Sequence, residues 1–480
     1  MDLLEISGRS KALESHAKLA VVIMAAGKGT RLKSRRPKVL HSVGGKPLLD
    51  HVIAAASQLA SPADIHVVIG HEAEEVRKTV APTGVRFVEQ TVQLGTGHAL
   101  QCCREAIAGY ENVLVLSGDV PLIRAETIQQ VWQFHQAEHV AMTILTAAPA
   151  NPFGYGRIVR SPNDPAAVEA IVEQKALTPE QQSIGEINSG IYAFRTADLL
   201  AQLGKLTDNN ANKEVILTDV ASLLRADKRR VVAILAADPN EVLGANTIAE
   251  LVALDATMRA ATANRLMAQG VTIFRPETCV IDAQVEVAPD TVIEPFVQLL
   301  GATRIGSDCL IRSYSVIENC TLADGILIRQ SCILTESTLG NGAKIGPFAH
   351  LRPGSDIGED AHVGNFVETK KAKFGKGAKA NHLSYIGDAE VGEKTNIGAG
   401  VITCNYDGVH KFTTKIGKGA FIGSDSTLVA PVSVGDGAYI GAGSCITEDV
   451  AEDSLGISRA KQLNLEGWAI AKRARQKASS

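Results

Sequence analysis

Apolar positions follow one rhythm in the first half of the chain and another in the second. A β-branched run begins at Leu19 with Val21-Val22-Ile23, and further apolar runs follow at 65–69 (IHVVI), 113–116 (VLVL) and 142–145 (MTIL). The stretches 48–60 and 96–108 between them read as helices. Strands alternating with helices predict a parallel α/β sheet. Such sheets bind ligands at the C-terminal ends of their strands, so chemistry is expected in the loops after these runs. Residues 246–269 hold no Gly or Pro and place Ile248, Leu251, Val252 and Met258 near helical spacing. They predict one linker helix, ended by Gly270 and Pro276.

Past residue 270 the period becomes six. An aliphatic residue followed by Gly recurs at Ile305-Gly306, Ile345-Gly346, Ile357-Gly358, Val363-Gly364, Ile386-Gly387, Val391-Gly392 and Ile397-Gly398. The register Ile416, Ile422, Leu428, Val434, Ile440, Ile446 is unbroken. This is the hexapeptide signature of a parallel β-helix, in which each hexapeptide forms one flat side of a triangular coil. The aliphatic residue is expected to point inward, and the adjacent Gly to permit the corner. The repeat breaks near 404–413 (CNYDGVHKFT), which predicts a projecting loop.

Composition agrees with a repetitive core. The 480 residues contain 43 Gly and only 4% aromatics, so small aliphatic side chains must do most of the packing. A net charge of -4 argues against nucleic acid as a partner. The basic residues Lys472, Arg473, Arg475 and Lys477 read as a solvated end. No run of 18 apolar residues occurs, so no membrane span is expected. Residues 1–17 read as a polar extension without the apolar centre of a signal peptide. The 8 cysteines form no C-x-x-C pair or zinc spacing, and buried thiols in a reducing cytoplasm are expected.

Three motifs carry chemistry in the first half. The first strand runs into Ala25-Ala26-Gly27-Lys28-Gly29-Thr30-Arg31, followed by Pro37-Lys38. Glycines let backbone N–H groups approach phosphate oxygens, and Arg31 and Lys38 add the charge that a triphosphate and a departing pyrophosphate require. The spacing is neither that of a P-loop nor that of a dinucleotide fingerprint. Gln90 and Gln93-Leu94-Gly95-Thr96-Gly97-His98 come next, where amide side chains can read a base edge. His98 reads as a structural residue at a helix start. The strand ending Ser117-Gly118-Asp119 then puts a carboxylate at a sheet edge, a placement suited to a Mg²⁺ ion between phosphates.

In the second half, polar clusters recur at roughly coil-length intervals. They are Arg352-Pro353-Gly354, Asn365 to Lys371, His382-Leu383-Ser384-Tyr385, Asn396 and Asn405-Tyr406-Asp407-Gly408. Residues one coil apart lie side by side, so Arg352, Lys370 and His382 can share one groove. The two cations suit a phosphate, and His382 can take a proton near neutral pH.

These motifs resemble those of the sugar-1-phosphate nucleotidyltransferases. From about residue 19 to 460 the chain closely resembles the bacterial bifunctional family that unites N-acetylglucosamine-1-phosphate uridylyltransferase with glucosamine-1-phosphate N-acetyltransferase. The resemblance implies an α/β Rossmann-like nucleotidyltransferase domain, a linker helix, and a left-handed parallel β-helix of hexapeptide repeats. The boundaries it implies are 1–17, 18–245, 246–269, 270–456, and 457–480 for a C-terminal helix and basic tail. It implies that Met24, Ala25, Ala26, Gly27 and Lys38 contact the nucleotide sugar, and that Gln90, Gly95 and Thr96 hold uracil and ribose. Gly156, Glu173, Asn188 and Thr218 would cradle N-acetylglucosamine, while Asp119 and Asn246 would ligate Mg²⁺.

For the second site, His382 would be the general base, with Arg352, Lys370, Tyr385 and Asn396 on glucosamine 1-phosphate. Ala399, Asn405, Tyr406, Ser424, Ala442 and Arg459 would contact acetyl-CoA. The resemblance further implies UTP and N-acetylglucosamine 1-phosphate as substrates, a cytoplasmic homotrimer, and a product that feeds cell-wall and outer-envelope synthesis. Five positions depart from common family patterns: Met24 for Leu, Ser117 for Tyr, Val215-Ile216 for two tyrosines, and Asn381 for Gly. One rival reading is a monofunctional sugar-1-phosphate nucleotidyltransferase whose β-helix is only a scaffold, and another is a catalytically silent regulator. The His382 cluster speaks against the first, and retention of Lys38, Asp119 and His382 against the second.

Overall fold

The computed structural model describes residues 18–210 and 213–478, and the expected polar extension lies outside them. The chain divides into two compact units between Met258 and Arg259, inside the helix Ile248–Ala268.

The central sheet of the first unit runs, edge to edge, Val231–Leu235, Met142–Ala147, Ile187–Arg195, Asn112–Ser117, Leu19–Met24, Ile65–Ile69 and Arg86–Glu89. Its first strand shows why such runs are continuously apolar. Val21 and Ile23 point into one core layer, Ala20 and Val22 into the other, and all four are fully buried. The sheet is mixed rather than purely parallel, which corrects the expectation. Strand Ile187–Arg195 is antiparallel to both neighbours. It is preceded by the hairpin Arg157–Arg160 and Val168–Val172, with no long crossover helix to return the chain to the starting edge. The helix expected at 48–60 is Leu48–Ala56, and that at 96–108 is two, Thr96–Cys102 and Arg104–Ile107.

The second unit is a left-handed parallel β-helix whose three sides are sheets of 11, 10 and 9 short strands. Residues of like position stack in register, as in Ile345, Val363, Ala380, Ile397, Ile422 and Ile440, all buried. The six-residue register already runs through Ile281, Val287, Ile293, Leu299, Ile305, Ile311 and Ile317, before most of the glycines begin. The break at 404–413 is a loop between strands Ile402–Cys404 and Thr414–Ile416.

Gly346 takes a left-handed corner as expected, with φ +88°, but the reason for most of the other glycines differs. Gly306, Gly358, Gly364, Gly392 and Gly423 do not adopt positive φ. A Cβ on Gly364 would sit 2.0 Å from the backbone oxygen of Asn381 in the next coil. Close approach between coils is what requires them. The left-handed corners are taken by other residues, including Phe296, Tyr314, Phe348, Phe366 and Leu383. These five are exposed, and two pairs stack, Phe296 on Tyr314 at 5.1 Å and Phe348 on Phe366 at 5.3 Å between ring centroids.

The cysteines are more varied than expected. Cys103, Cys279, Cys309, Cys320 and Cys332 are buried, Cys102 and Cys404 half-buried, and Cys445 exposed. Burial pushes the Cys103 thiol up to about 12 and those of Cys320 and Cys332 to about 11, which leaves them un-ionised near neutral pH.

Candidate functional site

Parallel pairing builds the first site. Met24 lies opposite Ser117, so the loops that leave these two strands run side by side. The amide of Gly118 donates to the carbonyl of Met24 at 3.0 Å and locks the loops together. Between them and the Gln90–Thr96 segment opens a cleft of about 480 Å³. It is lined by Met24 to Thr30, Lys38, Gln90, Gln93, Gly95, Thr96, Ser117 and Asp119, among others.

At one end, charge converges. Lys38 Nζ forms an ion pair with Asp119 and donates to Asn246 Oδ1 at 2.9 Å. Arg31 donates to the same Asn246 oxygen at 2.7 Å. A carboxylate and an amide oxygen thus face one point from sequence positions over a hundred residues apart. They are hard oxygen donors of the kind Mg²⁺ takes, and cations around them already offset their charge.

At the other end, Gln90 is buried and fixed. Its Nε2 donates to the Gly95 carbonyl and to His98 Nδ1, each at 3.0 Å. His98 therefore supports Gln90, in keeping with a structural role. Gly95 needs to be glycine, with φ +120° and Val215 O only 2.4 Å from where a Cβ would stand. Val215 contributes through its backbone, exchanging hydrogen bonds of 2.8 Å with Gly97 and Leu94, so its departure from Tyr leaves this frame intact. Thr96 Oγ1 accepts from the amide of Leu217 at 3.0 Å.

The four expected sugar-binding residues form a neighbouring set. Asn188 N donates to Gly156 O at 2.9 Å, and Thr218 Oγ1 donates to Glu173 Oε1 at 3.1 Å. Asn188 Nδ2 is held by the Tyr192 hydroxyl at 2.8 Å. Tyr155, half-buried beside Gly156, was not singled out from sequence, and burial raises its phenol.

The second site follows from stacking of coils. Asn365 and His382 are register partners in adjacent strands, and His382 Nδ1 meets Asn365 Oδ1 at 2.7 Å. The column continues through backbone contacts. Gly400 donates to Leu383, Asp425 to Ala399 and Gly443 to Ser424. Arg459 then donates to the Ala442 carbonyl at 3.1 Å. His382, Ala399, Ser424, Ala442 and Arg459 consequently mark one continuous edge of the prism.

Round the corner, on the adjoining side, Lys370 lies beside Gly387, and the Tyr385 ring stands over that glycine. Arg352 is paired with Glu368 at 2.9 Å. Lys370 is 3.9 Å from Asp388, which also takes a hydrogen bond from Asn405. Asp388 thereby ties down the 404–413 loop, and the loop brings Lys411 against Lys370. This contact, ahead of partial burial, depresses the Lys370 ammonium. Lys411 was missed from sequence, because only the folded return of an inserted loop places it there. Asn396 stands apart from His382, at the strand start beside Lys379. Tyr406 is exposed in the loop, and its hydroxyl donates to Gly408 O at 2.5 Å. Asn381 does not disturb its strand, which pairs in register on both sides, though its Oδ1 is shielded without a hydrogen-bond partner.

Residues 21–178 match the MobA-like NTP transferase domain family, 275–373 the GMPPB C-terminal domain, and 413–448 the bacterial transferase hexapeptide (six repeats). A relative from Koribacter versatilis named bifunctional protein GlmU is 57% identical, over 97% of this chain and 99% of its own. Relatives of the same name from Stutzerimonas stutzeri and Solibacter usitatus are 48% and 47% identical, over 94% and 95% of this chain and 98% and 97% of their own. The chain belongs to the bifunctional GlmU family. As a GlmU-family enzyme it joins a nucleotidyltransferase to a hexapeptide-repeat transferase, and the two residue sets above fall one in each of these parts. Among the described residues, no helix is long and apolar enough to cross a membrane.

Proposed function

We propose that the chain makes UDP-N-acetylglucosamine in two steps, acetylating glucosamine 1-phosphate in the β-helix and then uridylylating the product in the N-terminal domain. The observation that carries this reading is His382, held by Asn365 at one end of a continuous edge and flanked by the Arg352–Lys370–Lys411 cations.

In the first step the sugar amine attacks the thioester carbonyl carbon of acetyl-CoA and passes its proton to His382 Nε2. The C–S bond breaks, and the leaving CoA thiolate takes that proton from His382 to depart as a thiol. Arg352, Lys370 and Lys411 take the sugar phosphate, with Tyr385 and Asn396 positioning the ring. Ala399, Asn405, Tyr406, Ser424, Ala442 and Arg459 line the cofactor's path.

In the second step the phosphate of N-acetylglucosamine 1-phosphate attacks the α-phosphate of UTP in line, and pyrophosphate leaves. Gln90, Gly95 and Thr96 hold the nucleoside. The Ala25–Gly27 backbone, Arg31 and Lys38 hold the phosphates, and Gly156, Glu173, Asn188 and Thr218 hold the sugar. Asp119 and Asn246 would hold Mg²⁺, which when bound neutralises charge shared between the α-phosphate and the departing pyrophosphate.

The enzyme acts as a cytoplasmic homotrimer whose acetyl-transfer sites are shared between neighbouring β-helices. The exposed aromatic corner Phe348–Phe366–Leu383, which abuts His382, supports this reading. The domains run 18–245, 246–269, 270–456 and 457–480.

The test follows thiol release from acetyl-CoA and pyrophosphate release from UTP on one preparation. Wild type should show both, the first only with glucosamine 1-phosphate present. His382→Ala should lower thiol release about 100-fold or more and leave pyrophosphate release intact. EDTA should do the reverse. Pyrophosphate release without sugar-dependent thiol release would leave a nucleotidyltransferase with a scaffolding β-helix.

A further inference from the structure

The structure assigns Asn365 a part in acetyl transfer as the positioning residue that sets the tautomer of His382, an inference that rests on His382 being the base. The two side chains meet because parallel stacking makes Asn365 and His382 register partners, with backbone pairing that also joins Leu383 N to Asn365 O at 3.0 Å. The contact is 2.7 Å, from Nδ1 of the imidazole to Oδ1 of the amide. An amide oxygen can only accept. The shared proton therefore sits on Nδ1, and the lone pair of the neutral ring sits on Nε2. That is the nitrogen free to take the proton of an incoming amine.

The chemistry of the acceptor has a second consequence. Imidazolium formed during attack keeps its Nδ1–H bond, but to a neutral dipole. A carboxylate there would hold the ring protonated to higher pH and make fewer molecules competent as a base near neutrality. On its own side of the coil His382 has one cation near it, Lys379, which opens its strand. His362, which precedes Asn365 on the neighbouring strand, is held toward its neutral form by burial and by the cations around it, and Asn396 on the next strand is neutral. On the adjoining side stand Arg352, Glu368, Lys370 and Tyr385. Asn365 orients the base without cancelling that field.

The test is the pH dependence of acetyl transfer for wild type, Asn365→Ala and Asn365→Asp, with uridylyl transfer and oligomer mass as folding controls. Asn365→Ala should lose roughly 10- to 100-fold in kcat at all pH values, the scale found when a partner that orients a functional histidine is removed. Its KM values for acetyl-CoA and glucosamine 1-phosphate should be little changed. Asn365→Asp keeps an acceptor in the same place, so it should recover most of kcat at high pH. Its acid limb should move to higher pH by about one unit. A loss in Asn365→Ala confined to KM would overturn the inference, as would wild-type kcat or no movement of the acid limb in Asn365→Asp. Absence of acetyl transfer in wild type would instead remove the reading on which it rests.

Discussion

Single residues divide into those whose chemistry is local and those whose partners are remote. Lys38 and Asp119 could be named from their motifs, since a cation after a glycine turn and a carboxylate at a strand end suit phosphate and metal wherever they occur. Asn246 was reached only through resemblance, and its contacts with Lys38 and Arg31 are tertiary facts. His135 shows a residue with no legible signal. It is 3% exposed, bonded to Thr143 Oγ1 at 2.9 Å and stacked on Trp132. Burial, with a smaller contribution from Arg195, lowers its pKa from 6.5 to about 4. Between those values the unfolded chain binds a proton that the folded chain does not, so stability falls as pH drops from 6.5 toward 4 and levels off below. Unfolding of the full chain, followed through the buried Trp132, should show this slope in wild type. His135→Gln should flatten it, and an unchanged slope would show that His135 is not its source.

At the scale of elements, the hexapeptide period was readable because every inward position serves the same packing site. Six residues return the chain to an equivalent place in the triangle, so aliphatic side chains must recur at six. What the glycines do was not readable. They stand where the next coil's backbone comes within 2.0–2.7 Å of any Cβ, as for Gly364, Gly423 and Gly306. Gly364→Ala places a methyl group against backbone, which cannot move without breaking the pairing that holds Asn365 to His382. A cost of about 1–3 kcal/mol is expected for such overpacking. It should be read as a lower melting temperature of the β-helix, with reduced acetyl transfer and unchanged uridylyl transfer. Unchanged melting would show that the coil spacing relaxes freely. The mixed sheet of the first unit belongs here too. Apolar runs identify strands but carry no direction, and Ile187–Arg195 reverses because a hairpin delivers it.

For the whole molecule, the proposed trimer would meet along the exposed corner of the β-helix. Phe348 and Phe366 stack on each other in the open, next to the edge that carries His382. Buried between protomers, such an edge would gain roughly 25 cal/mol per Å² of apolar area removed from water. Phe366→Asp puts a charge in that contact. It should shift the oligomer mass measured by light scattering from trimer toward monomer and reduce acetyl transfer, with uridylyl transfer kept. A trimer that persists with full acetyl transfer would move the interface to another face.

The sequence by itself determined the two architectures, the order in which they occur and the motif residues suited to each chemistry, such as Lys38, Asp119 and His382. Each of these rests on patterns local to the chain, namely apolar period, glycine turns and charged residues at strand ends, whereas the remaining site residues came only from resemblance. Only the tertiary structure decided which of those residues meet. The Lys38–Asp119–Asn246 knot, the Lys370–Lys411 contact and the Asn365–His382 bond each join side chains that no local pattern links. Their distances are set by strand register and loop return, and these are minimised over the whole core rather than written at any one position.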